Sequence, residues 1–289
     1  RPTCSRSRPS EHDRRVAWVV RTSRVTTSVR LVFLGTGTSF GVPQIGCDCA
    51  VCQSPDPRDR RTRCGVVIET DHGVRLLVDT PPELRLQLVA AGISTVDAVL
   101  FTHEHADHIH GIDDLRSIVV RRASPLPFYA ETTTFDTLQA RFPYIFDEAF
   151  RPLPGTTRPE GALHPITPGV PFVVNGVTVT PIAVPHGRAN VVGYRVGDLA
   201  YITDAKEVPA DAMPLLRGVR VLVLNALRRT PHPTHLSIAE AVETAERIGA
   251  ERTNFTHLTH ENLHADLAAE LPPGIMPAHD GLVVELTES

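Results

Sequence analysis

The run Thr102-His103-Glu104-His105-Ala106-Asp107-His108 packs three imidazoles and the Asp107 carboxylate into the six positions from His103 to His108. Neutral imidazole nitrogens and ionised carboxylates suit borderline divalent ions such as Zn²⁺, Mn²⁺ or Fe²⁺. The run directly follows Val96 to Phe101, an apolar segment that reads as a buried strand. A tight loop at a strand end aims all four side chains into one small volume. The plainer alternative is a solvated polar loop in a chain that holds 14 His. The density of H-x-H-x-D-H spacing speaks against it.

Further candidates sit where other strands should end. His186 follows Val184-Pro185, Asp204 follows Leu199–Thr203, and His257 follows Phe255-Thr256. A lone loop histidine is more often a satisfied surface or core group than a ligand. Shared placement at strand ends changes that balance. With the first loop the set is His103, His105, Asp107, His108, His186, Asp204 and His257. Seven donors are too many for one catalytic tetrahedral ion, which keeps a position open for water. They suit two ions about 3.5–4 Å apart that share a carboxylate, with Asp204 as the bridge. Such a pair acidifies a bound water to give a metal-bound hydroxide and stabilises charge on a phosphoryl or carbonyl oxygen.

A second metal site is written in Cys47-Asp48-Cys49-Ala50-Val51-Cys52. Three thiolates this close can clamp a structural Zn²⁺, and a fourth donor must come from elsewhere. His260, three residues after His257, is the best fourth ligand. Three free surface thiols would be an oxidation liability. A redox pair of Cys49 and Cys52 lacks a thioredoxin-like βαβ context.

These residues carry a resemblance. His103-x-His105-x-Asp107-His108, with His186, Asp204 and His257 in that order, resembles the metallo-β-lactamase superfamily over roughly residues 30 to 286. The resemblance implies that His103, His105 and His186 hold one ion and that Asp107, His108 and His257 hold the other, with Asp204 between. Having both Asp107 and Asp204 is similar to the phosphodiesterase-type branches. True lactamases typically carry Cys at the later position. Gly35-Thr36-Gly37-Thr38, Gly41-Val42-Pro43 and Gly46-Cys47-x-Cys49-x-x-Cys52 resemble the phosphoribosyl cyclic phosphate phosphodiesterases. Relatives of the pyrroloquinoline quinone biosynthesis B protein share a similar cluster. Thr256-His257-x-x-His260 matches the phosphodiesterase pattern, in which the second His joins the three Cys. His235, in Pro233-Thr234-His235-Leu236, matches a His placed near the substrate phosphate, where it could protonate a leaving alkoxide.

The elements that position these groups follow from periodicity. The ordered chain should start with a strand at Val29–Leu34, after an Arg-, Ser- and Pro-rich extension over residues 1–28 that reads as disordered. The resemblance implies that residues 29–289 form one metallo-β-lactamase-like hydrolase domain. Strands are expected at Gly65–Glu69, Val74–Val78, Val96–Phe101, Pro127–Ala130, Phe172–Val174, Val177–Val184, Val191–Val196, Leu199–Ile202, Val219–Leu224, Thr253–Thr256 and Leu282–Leu286. Asp71-His72-Gly73 and Asn175-Gly176 read as hairpin turns, the latter of the primed type. Helices are expected after Pro81-Pro82-Glu83 to Ala91, over Ile109–Arg122 with a connecting loop, over Thr133–Arg141 and Asn262–Glu270, and over Ile238–Ile248 behind the capping pattern Ser237-x-x-Glu240. Residues 143–170 read as loop. Two strand-rich halves, each with helices, imply an α/β fold of the layered αββα sandwich type. Gly35-x-Gly37 with Gly41 is not a dinucleotide fingerprint. Asp79 is placed to hydrogen-bond a ligand His; Asp113, Asp114 and Arg116 have either that role or a solvated one; Arg188 is a candidate phosphate contact.

Composition sets the outer limits. The formal net charge of −4 gives no field for nucleic acid or an anionic membrane. No apolar run approaches the roughly 20 residues of a membrane span, and Val16–Val20 is shorter than a signal-peptide core of about 7–15 residues. Clustered Cys fit a reducing compartment, so a cytoplasmic location is expected. The reading is a dinuclear Mn- or Zn-dependent phosphodiesterase with one structural Zn and a small phosphodiester substrate; a homodimer is compatible with it. The rivals are a tRNA 3′-processing nuclease, a thioester or lactone hydrolase, and a cofactor-biosynthesis accessory protein.

Overall fold

A computed structural model describes residues 28–122, 124–147 and 149–287. The extension expected over residues 1–28 lies, apart from Ser28, outside the described residues. The first sheet takes β1 (Val29–Gly35), β2 (Gly65–Thr70), β3 (Arg75–Val78), β4 (Ala98–Leu100), β5 (Leu126–Ala130) and β6 (Gly161–Pro165). The second takes β7 (Phe172–Val174), β8 (Val177–His186), β9 (Ala189–Val196), β10 (Leu199–Ile202), β11 (Val221–Asn225), β12 (Arg252–Thr256) and β13 (Ile275–Pro277). The chain then returns as β14 (Val283–Leu286) to the free edge of β1.

The two halves share one pairing plan. β14-β1-β2-β3 pair antiparallel and β3-β4-β5-β6 parallel. β7-β8-β9-β10 pair antiparallel and β10-β11-β12-β13 parallel. The carboxyl ends of β3, β4, β8, β10 and β12 therefore gather at one rim, the usual location of sites in such sheets.

Side chains alternate across each strand, so every inner strand must be apolar on both faces. Leu31 and Phe33 of β1 enter the layer between the sheets, where they meet Tyr194, Tyr201 and Val223. Val32 and Leu34 point the other way, to the helices α1 (Leu84–Ala90), α2 (Ala106–Ile109), α3 (Arg116–Arg122), α4 (Thr132–Arg141) and α5 (Pro143–Phe146). Ala200 and Ile202 of β10 pack outward against α6 (Ile238–Ile248) and α7 (His264–Glu270). Each fully buried large apolar side chain contributes about 1.5–3 kcal/mol. Three apolar layers between four structural ones make the expected αββα sandwich.

α6 spans the expected residues. Ser237 Oγ accepts from Glu240 N, Glu240 Oε2 accepts from Ser237 N at 2.7 Å, and Gly249 ends the helix at φ 73°. Asn175 and Gly176 lie at φ 47° and 87°, the primed turn the dipeptide predicts.

Three expectations are corrected. Residues 143–170 are not all loop, because they contain α5 and the edge strand β6. The helix over Ile109–Arg122 is three pieces: α2 starts inside the histidine run, a 3₁₀ turn covers Ile112–Leu115, and α3 follows. β13 went unread because it is three residues long behind Pro272-Pro273-Gly274. Among the described residues, no helix is long and apolar enough to cross a membrane.

Candidate metal centre

The first loop is aimed by its own backbone ties. Phe101 packs edge-on against Phe128 at 5.5 Å, and its carbonyl accepts from Tyr194 Oη at 2.6 Å. Thr102 N and Oγ1 both donate to the Asp79 carboxylate at 2.8 Å. His105 is the N-cap of α2, which turns Asp107 and His108 back toward His103. Gly111 lets that turn close: a Cβ there would lie 2.0 Å from Pro81 O.

Backbone strain concentrates at this rim. Among the described residues, the non-glycine positions with positive φ are Asp79 at 66°, Asp204 at 57°, His257 at 58° and the hairpin residue Asn175. Such conformations are costly and persist where surroundings impose them, commonly at functional sites. Asn225 imposes one of them. Its Oδ1 accepts from Ala205 N at 2.7 Å and its Nδ2 donates to Ala205 O at 3.0 Å. That bracket fixes the chain just after Asp204.

The structure brings all seven side chains together. Ligand-type atoms of His103, His105, His186 and Asp204 lie within 4.8 Å of one another. Asp204 Oδ2 is 3.7 Å from His103 Nε2 and 3.5 Å from His108 Nε2, and Oδ1 is 3.3 Å from His257 Nε2. Asp107 Oδ2 is 3.5 Å from His108 Nε2 and 3.8 Å from His257 Nε2. Asp204 thus touches both histidine groups and is only 2% exposed. His235 Nε2 stands 3.3 Å from Asp204 Oδ2.

These residues fit divalent ions. The Nε2 atoms of His103, His108 and His257 are buried and have no hydrogen-bond partner among the described residues. Buried polar atoms are rarely left so. Burial pushes His103 and His105 below the ordinary histidine range, which favours the neutral, ligating form. Burial alone would push His108 down as well; the carboxylates of Asp204, Asp107 and Asp79 override it and hold it well up. Burial likewise opposes the charge on Asp204, yet the rings of His257 and His108 hold that carboxyl well below its usual range. Three acidic side chains around buried rings favour positive charge, which divalent cations bound there would supply.

Asp79 is the group that orients the second histidine set. Its Oδ2 lies 2.8 Å from His108 Nδ1, so the ring donates there and turns Nε2 into the site. Asp79→Asn is expected to weaken metal binding at the His108–His257 side by about 10–100-fold, measured by Zn²⁺ titration against a chelator. Asp113, Asp114 and Arg116 are elsewhere: Arg116 and Tyr144 bond Asp113, and Arg85 N bonds Asp114. Arg188 is exposed.

The cysteine cluster is also assembled. His260 Nδ1 lies 3.2 Å from Cys47 Sγ and 3.7 Å from both Cys49 Sγ and Cys52 Sγ. With Zn–S about 2.3 Å and Zn–N about 2.0–2.1 Å, a tetrahedron has S···N edges of about 3.6 Å. Backbone donors support the sulfurs: Cys52 N points to Cys49 Sγ and Gln44 N to Cys52 Sγ. The first of these, Cys52 N, is the main influence lowering Cys49 to about 7, whereas burial raises Cys52 to about 11.

Sequence reasoning missed several supporting residues. Arg61, fully buried, donates to Thr259 O and Asn262 O at 2.7 Å and to Asp59 Oδ1 at 3.2 Å, tying the cysteine loop to the His260 loop. Cys64 is buried beside His108, Asp204 and His257, and burial raises its thiol to about 12. Asn225 and His232 were also unread. None of them sits in a recognisable motif; Arg61, Cys64 and Asn225 act through partners distant in the chain, and His232 through Thr234 and His235 in its own loop.

Residues 74–258 match the family model described as the beta-lactamase superfamily domain. A Porphyromonas gingivalis protein named Octanoyltransferase is 42% identical over 262 residues, covering 90% of this chain and 52% of that protein. The chain spans about half the length of several curated relatives it matches. A Ribonuclease Z of Mycobacterium sp. (strain KMS) is 30% identical over 232 residues, covering 71% of this chain and 80% of that one. Among solved structures, a diphosphatase from the PhnP family superposes with a TM-score of 0.83 at 41% identity, covering 90% of this chain and 97% of that chain.

Proposed function

This chain belongs to the metallo-β-lactamase superfamily and carries its metal-dependent hydrolase domain, and from that premise we propose that it is a dinuclear phosphodiesterase acting on small or cyclic phosphodiesters. The observation that carries the reading is His235 Nε2, 3.3 Å from the carboxylate that touches both histidine groups. A ring there reaches the leaving side of a phosphate held over Asp204. The similarity to a diphosphatase of the PhnP family supports phosphorus as the electrophile.

His103, His105 and His186 would hold one ion, Asp107, His108 and His257 the other, and Asp204 would bridge. Two such ions, Mn²⁺ or Zn²⁺, supply an acidified water and positive charge against the phosphoryl oxygens. A third, a structural Zn²⁺, fits Cys47, Cys49, Cys52 and His260. Water adds across the P–O bond: its oxygen bonds to phosphorus as one of its protons passes to solvent, the bond to the alkoxide breaks, and that oxygen takes the Nε2 proton of a doubly protonated His235, which solvent then restores. Asp204 stays ionised and holds both halves of the site in register. The formal net charge of −4 favours a small substrate over RNA.

His235→Ala separates this chemistry from its rivals. On phosphodiesters with an alkyl leaving group, kcat is expected to fall by about 10²–10⁴-fold. On bis(p-nitrophenyl) phosphate, whose phenolate departs without a proton, the fall stays under about tenfold. Equal losses on both substrates count against the reading, as does a wild-type protein that cleaves thioesters but no phosphodiester with either metal.

A further inference from the structure

We infer that His232 is a positioning residue that sets the ring of His235 through its Nδ1 atom. The inference rests on the phosphodiesterase reading of His235. The segment 228–235 hangs from a short base, where Leu227 N donates to Leu236 O at 2.9 Å and Leu236 N to Ala205 O at 2.8 Å. The base places His235 beside Asp204, whereas ring orientation needs a further hold. Gly187, at φ 64°, runs close by; a Cβ there would lie 2.9 Å from Thr234 Cγ2. Thr234 O is also the partner of His186 Nδ1 at 3.0 Å. The segment is therefore packed against the site.

Three polar atoms meet behind His235. Its Nδ1 is 3.1 Å from His232 Nδ1 and 2.8 Å from Thr234 Oγ1, and Thr234 Oγ1 is 3.2 Å from His232 Nδ1. Two facing Nδ1 atoms make a hydrogen bond only when one carries hydrogen and the other is bare. The backbone decides which. Thr234 N–H, a donor whose direction is fixed, points at His232 Nδ1 at 3.4 Å. His232 Nδ1 is thus the acceptor, and His235 Nδ1–H donates to it. With Nδ1–H held behind, the opposite edge of His235 carries Nε2 to Asp204 Oδ2 at 3.3 Å; Nε2 holds a proton to give only when the ring is doubly protonated, a form that burial opposes and the Asp204 carboxylate favours. His232 holds His235 as an orienting group holds a catalytic histidine. Thr234 Oγ1, at 2.8 Å, is a second acceptor for the same Nδ1–H, so His232 and Thr234 hold the ring together.

Three variants test this with alkyl and p-nitrophenyl phosphodiesters: His232→Ala, His232→Asn and His235→Ala. Losing an orienting partner typically costs about 10–100-fold. His232→Ala is expected to show that loss in kcat on the alkyl diester, with KM nearly unchanged and p-nitrophenyl hydrolysis largely retained. The Asn side-chain carbonyl can accept where Nδ1 did, so His232→Asn recovers most of the alkyl rate. ¹⁵N NMR of the wild-type protein should show hydrogen on His235 Nδ1. Equal loss on both substrates, no rescue by Asn, or a bare His235 Nδ1 each overturns the inference while leaving the His235 reading intact. Absence of leaving-group dependence in His235→Ala overturns both.

Discussion

Asp204→Asn is expected to lower kcat/KM by about 10³-fold or more, with active-site metal lost alongside. The reasoning starts from charge. Asp204 faces His103 and His108 through Oδ2 and His257 through Oδ1, at 3.3 to 3.7 Å. It is the acidic side chain common to both histidine groups. An amide keeps the shape and still receives Thr203 Oγ1–H at the Oδ1 position, where the hydroxyl now stands 2.6 Å away. The bracket of Asn225 around Ala205 is untouched. The backbone should therefore stay in place while the bridging charge goes. Metal catalysis supplies several kcal/mol, and each 1.36 kcal/mol is a factor of ten in rate. Elemental analysis should fall from about three ions per chain to about one, the survivor being the ion on the cysteines. Wild-type activity and metal content in the variant would remove Asp204 from the mechanism.

Much of this was legible because it is local. The histidine run, the capping box of α6 and the Asn175-Gly176 turn are each written in a few adjacent residues. The late candidates were readable because strand ends were readable: β8, β10 and β12 terminate at, or one or two residues before, His186, Asp204 and His257. Other features leave no such trace. β6 has one hydrogen-bonded neighbour strand and a half-exposed pattern without alternation, so tertiary pairing rather than periodicity makes it a strand. Arg61 reads as an ordinary loop arginine until its partners, about two hundred positions downstream, are placed against it. His232 is one more histidine in a Pro-rich loop until its distance to His235 is known.

His260→Ala carries the second large expected effect, and it separates the two metal sites. Three thiolates without a fourth donor leave the tetrahedron open. The structural ion should be lost, taking elemental analysis from about three ions per chain to about two. The Cys47–Cys52 loop has little else to hold it: its apolar cluster is Val42, Val51 and Cys52, joined by the half-buried Leu263. Arg61 and Asp59 tie the base of the loop but not its tip. A destabilisation of about 3 kcal/mol is reasonable for losing such a site. For a domain of this size that corresponds to a Tm lower by roughly 6–12 °C, at about 2–4 °C per kcal/mol. Activity should decline less than stability, because His257 is held by β12 and by Leu258 N donating to Thr36 O at 3.0 Å. Unchanged metal content and Tm would mean that the cysteines and His260 meet without an ion, and their convergence would then need another cause.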